Sequence, residues 1–153
     1  MKLYIAGPMT GLPQFNVPLF DAVTKLLRDQ GHEVISPAEL DSKDVRTEAL
    51  ASSDGKLDPG QKIAGETWGD MLARDVKVIA DDGVTHVVVL PGWTKSRGAR
   101  LEAFVACLCG LEFFEWDTAT EMPLPRPTAW AKAQIAMAWS DEVVMYTPAY
   151  NRP

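Results

Sequence analysis

An α/β fold built on an open parallel sheet is predicted by three observations. Short apolar runs alternate with helix-length segments in the order strand, helix, strand, helix, strand, helix, strand. Val87-Val88-Val89-Leu90 is the uninterrupted apolar run that a central parallel strand, covered on both faces, requires. The runs at 2–6, 32–36 and 84–90 are each followed by Gly or Pro, the residues that break extended chain into turns. Together they predict a flavodoxin- or Rossmann-like sheet with helices on both faces. A C-terminal helical and edge-strand extension follows it.

The elements follow in order. Residues 2–6 read as a buried first strand, and Gly7-Pro8-Met9-Thr10-Gly11 as a turn-rich loop. Phe20, Val23, Leu26 and Leu27 recur at helical spacing, and Gly31 is placed to end that helix. His32 to Ser36 is a second short strand, closed by Pro37. Residues 41–67 are polar with little periodicity. They read as a long surface loop carrying at most a short helix, either a mobile lid or a tolerated insertion. Helical spacing resumes from Trp68 to Ala80. The strand at 84–90, a helix from about Arg97 to Gly110 and a strand from Leu111 to Trp116 complete the domain at residues 1–117. In the extension, 118–153, the three prolines of Glu121 to Pro127 predict a connector. The Ala-rich stretch Thr128 to Trp139 predicts a helix with Thr128 as N-cap, and Glu142 to Tyr146 an added edge strand.

With 153 residues, 46% hydrophobic, the chain has material for one core and is not disordered throughout. Its net charge of -6 argues against a nucleic-acid polymer as partner, which demands a basic surface, but leaves room for one phosphate in a local cluster. No apolar stretch approaches the roughly 20 residues that span a bilayer, and the N-terminus lacks the pattern of a signal peptide. A cytoplasmic protein is expected. Cys107 and Cys109, two apart on a helix, point in different directions and read as unpaired thiols. His32 and His86 show no ligand spacing, so neither metal nor organic cofactor is expected.

In an open parallel sheet, ligands bind beyond the carboxyl ends of the strands. Two loops leave such ends: Gly7 to Gly11, and Pro91 to Gly98, which contains Trp93 and Ser96. The second feeds a helix N-terminus, where backbone N–H groups favour an anion. Ser96 there is a helix cap, a phosphate ligand or both, with Arg97 or Arg100 supplying charge. Asp75 lies on the apolar stripe of its helix with Met71, Leu72, Val78 and Ile79, so it needs a partner: a salt bridge, or a ligand. Glu102 stands near the start of its helix, either solvated or at the site. P-loop, Gly-x-Gly-x-x-Gly and Gly-x-Ser-x-Gly motifs are absent from the sequence.

Three blocks carry a resemblance: Tyr4-Ile5-Ala6-Gly7-Pro8-Met9-Thr10-Gly11, then Trp68 with Arg74-Asp75, then Leu90 through Glu102. Over residues 1–116 the chain resembles the nucleoside 2-deoxyribosyltransferase superfamily, closest to a branch of small proteins frequent in bacteriophages and bacteria. That superfamily includes 2′-deoxynucleoside 5′-monophosphate N-glycosidases. The resemblance implies Glu102 as catalytic nucleophile, Asp75 as the residue that holds the sugar or helps protonate the base, and Tyr4 as the group that orients Glu102. It implies Ser96 at the 5′-phosphate, and substrate contacts from Gly7, Pro8, Met9, Thr10, Gly11, Trp93, Arg97, Gly98 and Arg100. Ser96 stands where nucleoside transferases commonly have Asp, which favours a nucleotide substrate. Two positions depart from the pattern. The first loop lacks an Arg, and Arg100 stands where active relatives often have Gly, so that it strengthens phosphate binding or closes the pocket. The expected activity is cleavage of the base–sugar bond of a (deoxy)nucleoside 5′-monophosphate. The alternatives are deoxyribosyl transfer, or a module that binds the nucleotide without turnover. Superfamily members complete their sites with a neighbour's residues, so a homodimer or higher homo-oligomer is expected, with the 118–153 extension as contact.

Overall fold

The computed structural model describes residues 1–58 and 60–145. Its main sheet has five strands in the order β2-β1-β5-β6-β7. These are β1 Lys2–Ala6, β2 Glu33–Ile35, β5 His86–Val89, β6 Glu112–Asp117 and β7 Met122–Arg126. The first four run parallel; β7 joins β6 antiparallel. The chain steps outward from β1 to β2, then returns across β1 to β5. The carboxyl ends of β1 and β5 therefore flank the point where strand order reverses, the crevice that open α/β sheets offer to ligands.

Period-two alternation divides β1 and β5 between two cores. Leu3, Ile5, Val88 and Leu90 pack with Phe20, Val23 and Leu27 of helix α1 (Val17–Asp29). Tyr4, Ala6, Val87 and Val89 pack on the other face with Ile79 of α4 (Trp68–Asp81) and Ala99, Ala103 and Ala106 of α5 (Arg97–Leu108). Gly31 ends α1 with φ +86°, as its placement predicts. The α/β class, the four parallel strands and the helices α1, α4 and α5 are as the sequence predicts.

Three expectations need correction. Residues 41–67 are not one long loop. After the single turn α2 (Pro37–Leu40), α3 spans Lys43–Ala51, and a two-stranded hairpin pairs β3 (Lys62–Ile63) with β4 (Glu66–Thr67). Ser42 caps α3 by accepting from the Val45 N–H, and Glu48 ties the hairpin to it by accepting from Ala64 N–H. The helix buries only Val45 and Ala49, too thin an apolar stripe to register as periodicity. Second, the proline-rich connector is β7. Pro123 and Pro125 are two apart, so the bonds they cannot donate fall on the outer side of an edge strand, where nothing pairs. Third, no edge strand begins at Glu142: helix α6 runs Thr128–Met145, and Tyr146 lies outside the described residues. The Thr128 hydroxyl does not act as a cap but donates to the Leu111 carbonyl. Ala131 and Ile135 of α6, four apart, are buried with the α5-side core. Cys107 and Cys109 are free thiols. No helix among the described residues is long and apolar enough to cross a membrane.

Candidate active site

The loops after β1 and β5 and the first turns of α4 and α5 enclose a cavity of about 670 Å³, its open mouth included. Its walls are largely apolar, from Phe15, Val45, Ile63, Trp68 and Met71 among others, and four charged side chains line it: Asp41, Arg74, Asp75 and Glu102. Thus α3, read only as a short helix within a loop, and the hairpin, unread in the sequence, form one wall.

Tyr4 is fully buried, and its hydroxyl donates to Glu102 Oε1 at 3.0 Å. β1 projects Tyr4 toward α5, and Glu102 lies on the same helix face as Gly98, four residues earlier, so both reach the cavity. Glu102 is only 6% exposed. Burial first, and the Asp75 charge second, push its pKa from an ordinary 4.5 to about 8, while the Tyr4 hydrogen bond pulls it down. Burial, with the same carboxylates behind it, holds the Tyr4 hydroxyl well above its ordinary range, so it remains a donor.

Asp75 is buried on the inner face of α4, and burial raises its pKa to about 6 against the opposing pull of Arg74. Arg74 Nε and Nη2 both lie on Asp75 Oδ1, at 3.0 and 2.9 Å, and Nη1 pairs with Asp41 Oδ1 at 2.9 Å. The partner that a core-facing Asp75 demands is therefore its own helical neighbour. Among the described residues, Asp75 Oδ2 and Glu102 Oε2 have no protein partner.

A second, larger cleft adjoins the cavity and shares Thr10, Leu57, Trp68, Ser96 and Gly98 with it. Its charged lining is Lys95, Arg97 and Asp58. The N-termini of α4 and α5 both open onto it. α4 is closed by a reciprocal cap between Thr67 and Asp70, and α5 by Ser96 Oγ accepting from Ala99 N–H at 3.3 Å. The Arg97 guanidinium stacks on the Trp68 ring at 5.5 Å.

Of the residues expected at the site, Tyr4, Asp75 and Glu102 come together. Gly7, Met9, Thr10, Ser96 and Gly98 line the cavity, and Arg97 lines the cleft. Gly7 is also needed for close approach: a Cβ there would sit 2.9 Å from Leu90 Cβ. Four are placed elsewhere. Pro8 lines neither space, and its carbonyl accepts from Asn16 Nδ2. Gly11 donates its N–H to the Gly55 carbonyl. Trp93 is core, its ring 5.9 Å from that of Trp130. Arg100 is two residues from both Gly98 and Glu102, which turns it to the opposite side of α5; it is buried under α6 and its Nη1 reaches the Ala138 carbonyl at 3.5 Å. It neither meets nor closes the cavity.

Sequence reasoning missed Asp41 as a site residue and took Arg74 only as part of a motif. The adjacency of Arg74 to a core-facing Asp was a usable signal; Asp41, in a stretch read as loop, offered none. Phe15 was also missed. It stands in a run of three residues, Gln14, Phe15 and Asn16, with φ of 55°, 49° and 60°. Such left-handed backbone is costly for a bulky residue and is held here by the Gln14 N–H on the Ser52 carbonyl.

Fold and site together define an α/β protein with a carboxylate-centred cavity at the switch point of a parallel sheet. The family follows from the sequence. The chain belongs to the family described as Domain of unknown function (DUF4406), whose model matches residues 1–114. That span holds every residue of the cavity and stops before β7 and α6. No curated protein and no solved structure matches the chain.

Proposed function

We propose that this protein is an N-glycosidase that cleaves the base–sugar bond of a (deoxy)nucleoside 5′-monophosphate, with Glu102 as nucleophile. The observation that carries the reading is the Tyr4–Glu102 hydrogen bond at the wall of the cavity that Glu102 lines, with the second oxygen of Glu102 left without a partner among the described residues. The resemblance of the three sequence blocks to the nucleoside 2-deoxyribosyltransferase superfamily supports it. The neighbouring cleft supports a phosphate, since Ser96, Lys95 and Arg97 stand where two helix N-termini open.

In the proposed reaction Glu102 Oε2 forms a bond to C1′ as the C1′–N bond breaks, and the bond's electron pair leaves with the base. The base takes a proton from an acid at the site or from solvent, and water then hydrolyses the glycosyl–enzyme ester. Asp75 Oδ2 is the free acceptor for the sugar hydroxyls. A carboxyl group with a pKa raised to about 8 is a poor nucleophile until it ionises. Positive charge developing on the sugar ring favours the ionised form, so the active site is strongest where the transition state needs it. We also propose a cytoplasmic homo-oligomer. Its contact surface is the α5–α6 face, where Leu108 is 71% and Trp139 38% exposed. Light scattering tests that assembly.

The direct test is incubation with the common deoxy- and ribonucleoside 5′-monophosphates and chromatography for free base. Release from at least one supports the reading; no release from any, and none from the parent nucleosides, overturns it. Adding a second base to the same assay separates transfer from hydrolysis.

A further inference from the structure

Neighbouring residues on a helix do not face each other, so an Arg and an Asp at consecutive positions do not ordinarily pair. Arg74 and Asp75 do, and through one oxygen: Nε and Nη2 both lie on Asp75 Oδ1. The third guanidinium nitrogen, Nη1, is held by Asp41, which comes from the chain just beyond α2. All three guanidinium nitrogens therefore lie within 3.0 Å of two carboxylates whose side chains are 6% and 8% exposed, Nε as a hydrogen bond to Asp75 and Nη1 as an ion pair with Asp41. A buried guanidinium held between two carboxylates in this way orients the Asp75 carboxyl, with Oδ1 occupied and Oδ2 available.

We infer that Arg74 is a positioning residue for Asp75 and that Asp41 is its anchor, so that the Asp41–Arg74–Asp75 chain sets the orientation in which Asp75 meets the substrate. The inference rests on the proposed glycosidase reading for its kinetic consequence, but not for its structural one. Two contributions of Asp41 act in opposite directions. As a negative charge it raises the pKa of Asp75, so its removal favours ionised Asp75. As an anchor it steadies Arg74, so its removal loosens Asp75. The other groups acting on Asp75 are Arg74 on its own helix and Glu66 of β4. Asp75 in turn acts on Glu102 of α5 and Tyr4 of β1.

The experiment is carried out on the full chain in four forms: wild type, Asp41→Asn, Arg74→Lys and Arg74→Met. Carboxyl-carbon NMR follows the titration of Asp75, and base release from the nucleoside monophosphates gives kcat/KM against pH. In Arg74→Met, Asp75 is expected to keep its proton to higher pH than in wild type. In Asp41→Asn, Asp75 is expected to titrate at or below its wild-type pH while kcat/KM falls ten- to hundredfold, the scale on which misplacement acts. Arg74→Lys, which keeps the charge but not the fork, is expected to restore the titration and not the rate. A charge effect alone would leave Asp41→Asn at least as active as wild type, and that result overturns the inference. So does an Asp75 titration in Arg74→Met identical to wild type. Should wild type release no base, the glycosidase reading fails, and two NMR readings still decide the inference: the Asp75 titration in Arg74→Met, and in Asp41→Asn an Asp75 carboxyl shift changed at the pH extremes, where charge alone would leave it as in wild type. Arg74→Lys guards against loss of fold in the uncharged variant.

Discussion

The cavity carries Asp41, Asp75 and Glu102 against one guanidinium, whereas the adjoining cleft carries Lys95 and Arg97 beside two helix N-termini, with Asp58 the one acid among its described lining residues. The two share a wall, and Ser96 and Glu102 are six residues apart on the same stretch of chain. What separates them is burial: Lys95 and Arg97 are exposed, and Glu102 is buried. At the first turn of α5, backbone N–H groups and solvent favour an anion. Further along the same helix, Glu102 meets the sheet, and the cost of burying its charge outweighs the helix field, so its pKa rises instead of falling. One helix thus carries exposed basic residues at its mouth and a buried carboxylate further along.

That comparison breaks or sharpens under three changes. The largest expected effect is in the cavity. Tyr4→Phe removes the hydrogen bond that pulls the pKa of Glu102 down, so Glu102 stays protonated to higher pH. A loss in kcat of about tenfold to a hundredfold is expected, with the rising limb of the pH–rate profile moved to higher pH. A profile unchanged in position would sever Tyr4 from Glu102. At the mouth, Ser96→Asp keeps a good helix cap but places a carboxylate where the phosphate is proposed to sit. Calorimetric titration is expected to show monophosphate binding weakened by about tenfold or more, and nucleoside binding much less affected. Equal losses for the two ligands would leave Ser96 as a cap only.

A third effect is on stability. Glu102 has a folded pKa raised from 4.5 to about 8, and Asp75 one raised from 3.8 to about 6. A raised carboxyl pKa contributes stability that is fully present below the ordinary value and is lost as pH rises through the folded value. The Tm is therefore expected to fall between about pH 4.5 and pH 8, and Glu102→Gln to flatten that fall. A variant whose Tm tracks wild type across the interval would mean that Glu102 is not desolvated as described.

The sheet was legible because its central strands are unbroken apolar runs and its helices α1 and α4 carry wide apolar stripes; periodicity reports burial, and these elements are buried. It failed for α3, which buries two residues, and for β7, whose prolines are excluded from central strands but suit an edge. At the site, Tyr4, Asp75 and Glu102 were legible through resemblance, and Asp75 also as a carboxylate on an apolar stripe. Arg100 and Trp93 were misread because loop and helix position alone does not say which way a side chain turns: Arg100 is half a turn away from Glu102, and Trp93 folds under α6. Asp41 was invisible because its partner, Arg74, lies 33 residues on in sequence, and only the fold brings them to 2.9 Å.

The central claim is that Glu102 reacts with the sugar. Its most direct measurement is base release by Glu102→Gln beside a nucleotide titration of the same variant. The account predicts base release lowered on the order of a thousandfold or more, with binding within about tenfold of wild type, because only the transition-state interaction is lost. Turnover at the wild-type rate would contradict it.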